Sequence, residues 1–176
     1  MTPRLFHASE EAGILRFEPR PSPTPHPDVD RPCVWAVAES HLVNFLTPRD
    51  CPRITFGAGP DTTQADKDRF MFGARRVVAF EAAWLERLKG ATLHIYEMPT
   101  ETFRQVDAGA AFWVSYDAVS PIEEREQTGL LGALVEAGAE VRILQDFWAL
   151  SDAVAASTLE FSIMRFRNAG PRRQTA

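Results

Sequence analysis

His7 closes a short apolar run, Leu5-Phe6-His7-Ala8-Ser9-Glu10, and three arginines lie on proline-stiffened stretches further on. Arg20 stands between Pro19 and Pro21, and Arg49 and Arg53 lie within Pro48-Arg49-Asp50-Cys51-Pro52-Arg53. A neutral imidazole carries one donor and one acceptor. A guanidinium makes bidentate contacts to phosphate or carboxylate, and proline fixes the backbone from which it reaches out. Together these types suit the grip on a phosphorylated or nucleotide-like ligand, with Ser9 as a further contact. Trp35, in Val34-Trp35-Ala36-Val37-Ala38, adds an aromatic face on which a base could stack.

Each of these residues has a plainer role in competition. His7 could tie down the loop that follows it, Ser9 and Glu10 could cap a turn, and Trp35 could pack in a core as strand aromatics usually do. Arg20 could be solvated or salt-bridged. In Pro48–Arg53 an arginine–aspartate pair locking a tight turn is the favoured reading. Cys51 between two arginines could carry a lowered pKa and act as a nucleophile, with His41 one helix away. His7, His41, Asp50 and Cys51 have the chemistry of metal ligands, but no recognised ligand spacing joins them, and no metal is expected.

Of 19 basic residues only Lys67 and Lys89 are lysines, so 19 − 2 = 17 are arginines. Whole-genome base composition also raises arginine over lysine, so the excess does not by itself mark an anion site. The net charge of −5 argues against a protein that coats nucleic acid or an anionic membrane, since both need a basic surface. A chain of 176 residues is expected to form one globular domain over residues 1–169, with a flexible tail over 170–176. Met1-Thr2-Pro3-Arg4 opens no apolar leader, no apolar run approaches the ~18 residues that span a bilayer, and the two cysteines form no disulfide framework. A reduced, cytoplasmic setting is the expectation.

The elements that must position these residues alternate between short strands and short helices. Strands are expected at Arg4–His7, Val34–Ala38, Arg53–Phe56, Arg76–Phe80, Thr92–Met98, Phe112–Tyr116 and Val141–Leu144, with a turn or edge strand at Ile14–Phe17. Six prolines between Pro19 and Pro32, Pro23 among them, make that stretch an extended loop of the length that often covers a binding site. Helices are expected after a cap at Glu39 or Ser40 and ending before Pro48, from Asp61, over Ala82–Leu88, and over Thr128–Ala137 with Gly138 as terminator. Ala149–Asn168 reads as one long helix, while the alternation Leu159, Phe161, Ile163 allows a strand over residues 157–167 instead. No strict β-α-β alternation, no Gly-x-Gly-x-x-Gly and no phosphate-binding Gly-Lys-Ser/Thr loop occurs. The expected class is α+β, with a mixed, mostly antiparallel split sheet and flanking helices.

Leu5–Glu10, Phe17-Glu18-Pro19-Arg20, Val34-Trp35-Ala36, Pro48–Arg53 and Ala156–Ser162 resemble the motifs of a bacterial family of uncharacterised proteins, and the likeness runs over nearly the whole chain. A second likeness is shorter. Phe6-His7-Ala8-Ser9 resembles the Tyr-His-Gly-Thr/Ser strand of ADP-ribosyltransferases, where the histidine bonds the ribose next to nicotinamide, and Trp35 falls where a tyrosine stacks on that ring. Ala111–Asp117 resembles the family's Asn-Glu-Tyr-x-x-Tyr strand, but Phe112 stands where the catalytic glutamate belongs. RNA 2′-phosphotransferases share that fold and use arginines and a histidine on the phosphate instead.

This resemblance implies an ADP-ribosyltransferase-like fold with NAD as the candidate ligand and transferase chemistry if the protein is active. His7 would hold ribose, Trp35 would stack, and Arg20, Arg49 and Arg53 would bind phosphate. Glu160 would stand in for the carboxylate missing at Phe112. The partner is then a nucleotide-like or phosphorylated small molecule, without membrane or bulk nucleic acid. The competing readings are a non-enzymatic interaction module and a cysteine- or metal-dependent hydrolase.

Overall fold

The computed structural model describes residues 3–22 and 25–172. In chain order the elements are β1 (Leu5–Ser9), β2 (Val34–Ala38), a 3-10 helix (Glu39–Phe45), β3 (Arg53–Gly57), α1 (Gln64–Phe70), β4 (Arg76–Glu81), a 3-10 turn (Ala82–Trp84) leading into α2 (Leu85–Gly90), β5 (Leu93–Met98), β6 (Arg104–Asp107), β7 (Phe112–Ser115), β8 (Glu123–Gln127), α3 (Leu130–Glu136), β9 (Ala139–Leu144), α4 (Phe147–Ala155), β10 (Glu160–Met164) and a 3-10 turn (Phe166–Asn168). The class is α+β, as expected. The elements fall into two compact units, Met1–Leu46 with Thr92–Gln127, and Thr47–Ala91 with Thr128–Ala176. No helix among the described residues is long and apolar enough to cross a membrane.

The first unit is a six-stranded antiparallel sheet in the order β6-β7-β2-β1-β5-β8. Alternate residues of β1, β2 and β5 share a face, and on one face Leu5, Val34, Ala36, Ala38, Tyr96 and Met98 form a core closed by Phe17, Phe103, Ala111 and Val119. A turn or edge strand is expected at Ile14–Phe17, which Phe17 would end. Phe17 makes a single bridge instead, exchanging backbone hydrogen bonds with Val119 at 2.7 and 2.9 Å. The unit is tied at one end by Arg4, whose guanidinium donates to both oxygens of Glu97 and to Glu39.

The second unit is a four-stranded mixed sheet, β10-β3-β4-β9, with only β4 and β9 parallel. β3 is buried along its whole length and β4 nearly so, as central strands covered on both faces should be. Phe56, Val77, Ala79, Phe70, Phe147 and Val154 build its core.

Several expected boundaries move for local reasons. The segment after β2 forms a 3-10 helix without a side-chain cap, and Ser40 Oγ meets His41 Nδ1 instead of the backbone. The helix expected from Asp61 starts at Gln64, because Thr63 rather than Asp61 accepts the first free N–H, that of Asp66. The long helix expected over Ala149–Asn168 does not form. α4 stops at Ala155, and the alternating residues form β10, which pairs with β3 from Glu160–Gly57 to Met164–Arg53. β6 and β8 went unforeseen. They are the two edge strands, β8 reads Glu-Glu-Arg-Glu-Gln, and an edge facing water needs no apolar alternation. At the tail, Gly170 N–H donates to Glu81 and Trp148 Nε1–H donates to the Gly170 carbonyl. Residues 173–176 of the expected tail, like Pro23 of the proline loop, lie outside the described residues.

The turn between α4 and β10 is held by Asp66 at the start of α1. Thr158 donates to Asp66 Oδ2 from its hydroxyl at 2.6 Å and its backbone N–H at 2.8 Å. These bonds hold the Asp66 carboxyl below the usual range. A carboxyl that the fold favours as anion stabilises above its unfolded value, about 3.9, and the contribution fades as pH falls through the lower folded value. Asp66→Asn is therefore expected to lower the melting midpoint at neutral pH, with the gap to wild type closing below about pH 4. A gap that stays constant into acid would show that the anion is not what matters.

Candidate ligand-binding site

The register of the first unit decides which predicted residues meet. β1 and β2 pair Leu5 with Ala38 and Phe6 with Val37, and β2 and β7 pair Trp35 with Val114 and Val37 with Phe112. His7 pairs with Tyr96, so its side chain belongs to the core face of Leu5 and Tyr96. Trp35 belongs to the other face, with Val37, Phe112 and Val114. The expectation that His7 and Trp35 line one hollow is corrected by this alternation.

What joins them is the backbone. His7 Nδ1 lies 2.8 Å from the Trp35 carbonyl. A carbonyl can only accept, so Nδ1 carries the proton and the ring is fixed in that tautomer. Its ring rests on Phe17, centroids 4.9 Å apart, and Phe17 meets Tyr96 edge-on at 5.1 Å. His7 thus steadies β2 at Trp35 from the opposite face. Ser9 accepts the Glu11 N–H at 3.1 Å, the turn-capping role weighed for it. The turn that follows is clipped down by Gly13, at φ +69°, whose N–H donates to both Glu124 oxygens. His94 Nδ1 lies 2.8 Å from Glu124 Oε1 without an aligned hydrogen bond. Tyr96 OH donates to the Glu11 carbonyl and accepts from Ile14 N–H.

The Trp35 face carries a group of half-buried rings. Trp35 meets Phe112 edge to face at 5.6 Å and His26 at 5.7 Å, and Phe112 meets Phe45 at 6.0 Å. The Trp35 indole N–H is buried and has no partner among the described residues. His26 comes from the proline loop. It bridges Val29 across a tight turn, and its Nδ1 accepts the Asp28 N–H at 3.2 Å. With Nδ1 as acceptor, the neutral ring keeps its proton on Nε2, which lies 3.9 Å from Asp107 Oδ2. Asp107 pairs with Phe112, which puts it on the same face.

Beside the rings stands a cationic group. Arg104 pairs with Val114, the strand partner of Trp35, and so lies in the same row of the same face. Its Nη2 donates to Tyr116 OH and, at 2.8 Å, to the Asp28 carbonyl. The Arg31 guanidinium lies 4.1 Å from the Tyr116 ring centroid and that of Arg104 lies 5.0 Å from it. Neither forms an ion pair with a carboxylate among the described residues. Arg20 exchanges backbone hydrogen bonds with Cys33, two residues before Trp35, so it too issues on this face. Of the predicted residues Trp35 and Arg20 fall on this face. His26, Arg31, Arg104 and Tyr116 were missed, and only the length of the proline loop hinted at the first two.

Arg49, Arg53 and Glu160 belong to the second unit. The Arg49 and Asp50 carbonyls accept from Arg165 Nε at 3.0 Å and Asn168 Nδ2 at 2.8 Å, so the Pro48–Pro52 turn is locked from the C-terminal segment. Arg53 is only 5% exposed and donates to the Cys51 carbonyl and to the Met164 sulfur. Burial, with Arg165 adding like charge, lowers its pKa to about 10. Glu160 is exposed and leans over Gly59, where a Cβ would come within 2.4 Å of its Oε1; its charge opposes the desolvation of Arg76. Among the described residues no group of three or more histidines, cysteines, aspartates or glutamates could hold a metal ion.

This arrangement defines an α+β protein of two sheets with an aromatic and arginine-bearing face on the first. Residues 6–169 match the family described as Family of unknown function (DUF6886), and the chain belongs to it. No curated protein and no solved structure matches the chain.

Cys51 is fully buried and burial pushes its thiol up to about 12. A nucleophile needs the thiolate, so the cysteine-hydrolase reading loses its residue. Burial also raises the Cys33 thiol. Iodoacetamide at mildly alkaline pH is expected to leave both cysteines unmodified in the folded chain and to label both after unfolding, read by intact mass. Rapid labelling of Cys51 in the native state would contradict this.

Proposed function

We propose that this protein binds a nucleotide-like small molecule on the Trp35 face of its six-stranded sheet, with the base stacked among the rings, and that it does not transfer ADP-ribose. One observation carries the reading: Trp35, Phe112 and His26 gather as half-buried rings on a face that also bears Arg20 and Arg104. A base stacked on an aromatic side chain gains about 1–3 kcal/mol. NAD fits this chemistry, and so do simpler nucleotides.

The ADP-ribosyltransferase resemblance enters with altered roles. Trp35 keeps the stacking role, while His7 holds the strand that presents it. Transfer needs a carboxylate beside the forming ribose cation, and Phe112 at that position is one of the stacking rings. A phenyl ring cannot stabilise that cation or orient the incoming nucleophile. Binding without glycosyl transfer is the consistent outcome.

Calorimetric titration of NAD and ADP-ribose into the full chain is expected to give saturable binding. Trp35→Ala should weaken it about tenfold or more, the equivalent of one lost stacking contact. No nicotinamide should be released on prolonged incubation. Absence of binding at millimolar ligand would overturn the stacking site, and release of nicotinamide would overturn the absence of transfer.

A further inference from the structure

Tyr116 is approached by two guanidinium groups, Arg31 at 4.1 Å and Arg104 at 5.0 Å from its ring centroid. A cation over an exposed ring gains about 0.5–1 kcal/mol. Two like charges gathered at one ring repel each other, and no carboxylate among the described residues pairs with either one. Asp28 does not relieve them, because it is its backbone carbonyl, not its carboxylate, that accepts from Arg104. The same contact anchors the tip of the proline loop, and with it His26, onto β6. Two guanidinium groups beside one phenol, neither spent on a carboxylate, suit a phosphate monoester, whose dianion would accept charge-assisted hydrogen bonds from them.

Arg104 and Trp35 sit in one cross-strand row with Val114 between them, so their backbones are two strand spacings apart, about 10 Å. Val114 is fully buried between them, so a ligand joining the two would lie across the row above it. The Tyr116 ring is already engaged by two cations and is no platform for a second base. This face therefore offers one place for a base and one for a phosphate.

We propose that the ligand of this face is a nucleoside 5′-phosphate, its base on the Trp35–Phe112–His26 group and its phosphate held by Arg31 and Arg104 at Tyr116. The assignment rests on the stacking reading of Trp35 given above. It adds a ligand class, mononucleotide rather than dinucleotide, and it makes Arg104 the residue that determines preference for the phosphorylated form.

The test titrates the full chain with the common ribonucleosides, their 5′-monophosphates, NAD and inorganic phosphate, following heat and tryptophan fluorescence. At least one 5′-monophosphate is expected to bind about tenfold or more tightly than its own nucleoside and than NAD. Arg31→Gln should bring its affinity down to that of the nucleoside while leaving nucleoside binding unchanged; Arg104→Gln should remove the same preference and also weaken the nucleoside somewhat, because it frees the turn that carries His26, with melting curves showing that both variants fold. Inorganic phosphate should compete with the monophosphate and not with the nucleoside. Equal affinity for nucleoside and monophosphate, or a preference that survives both substitutions, would overturn the phosphate site while leaving base stacking in place. Failure of every nucleoside and nucleotide to bind would overturn the stacking reading as well.

Discussion

The hydrogen bond from His7 to the Trp35 carbonyl expresses the constraint on which the first unit is organised. In an antiparallel sheet side chains alternate strictly between faces, so a residue can affect its neighbour on the next strand only through that neighbour's backbone unless both share a face. His7 and Trp35 do not share one. The imidazole is held among Phe17 and Tyr96, at the edge of a core that fixes its orientation, and it spends its Nδ1 proton on β2. Trp35 is thereby presented on the opposite face with little freedom to shift.

The proline loop completes the same face by a related economy. Its alternate prolines exclude a helix and remove ladder donors, so it contributes isolated contacts: the Arg20–Cys33 bridge at its base and the His26–Val29 bridge at its tip. Within that turn the Asp28 carbonyl accepts from Arg104, and His26 is set against Trp35 with its tautomer fixed by Asp28 N–H. The described part of the loop is held by a few polar anchors placed where the rings gather.

In the second unit polar side chains serve the backbone. Asp66 closes the turn at Thr158, Arg165 and Asn168 lock the Arg49–Asp50 carbonyls, and Glu81 takes the Gly170 N–H. The Pro48–Arg53 motif invites a catalytic reading because it concentrates charge and a thiol. Its arginine backbone is a hydrogen-bond acceptor in a clamped turn, Arg53 is buried against Cys51 and Met164, and the thiol is sealed away. Chemically rich residues here are explained by the need to satisfy buried backbone groups.

Apolar runs bounded by glycine and proline were enough, in the chain alone, to place most strands, to end α3 at Gly138, to exclude nucleotide-binding glycine loops and to single out Trp35 and Arg20. These are local properties, carried by residue type and spacing. The edge strands β6 and β8 left no such mark, because nothing buries them, and the choice between helix and strand over 157–167 waited on β3 as a pairing partner. Which residues share a site was also beyond local reading: a register shift of one residue exchanges the faces of a whole strand. Only the paired sheet could put His7 on one side and Trp35 on the other. Only the folded loop could carry His26 and Arg31, and only the pairing of β6 with β7 could carry Arg104, to these rings and this phenol.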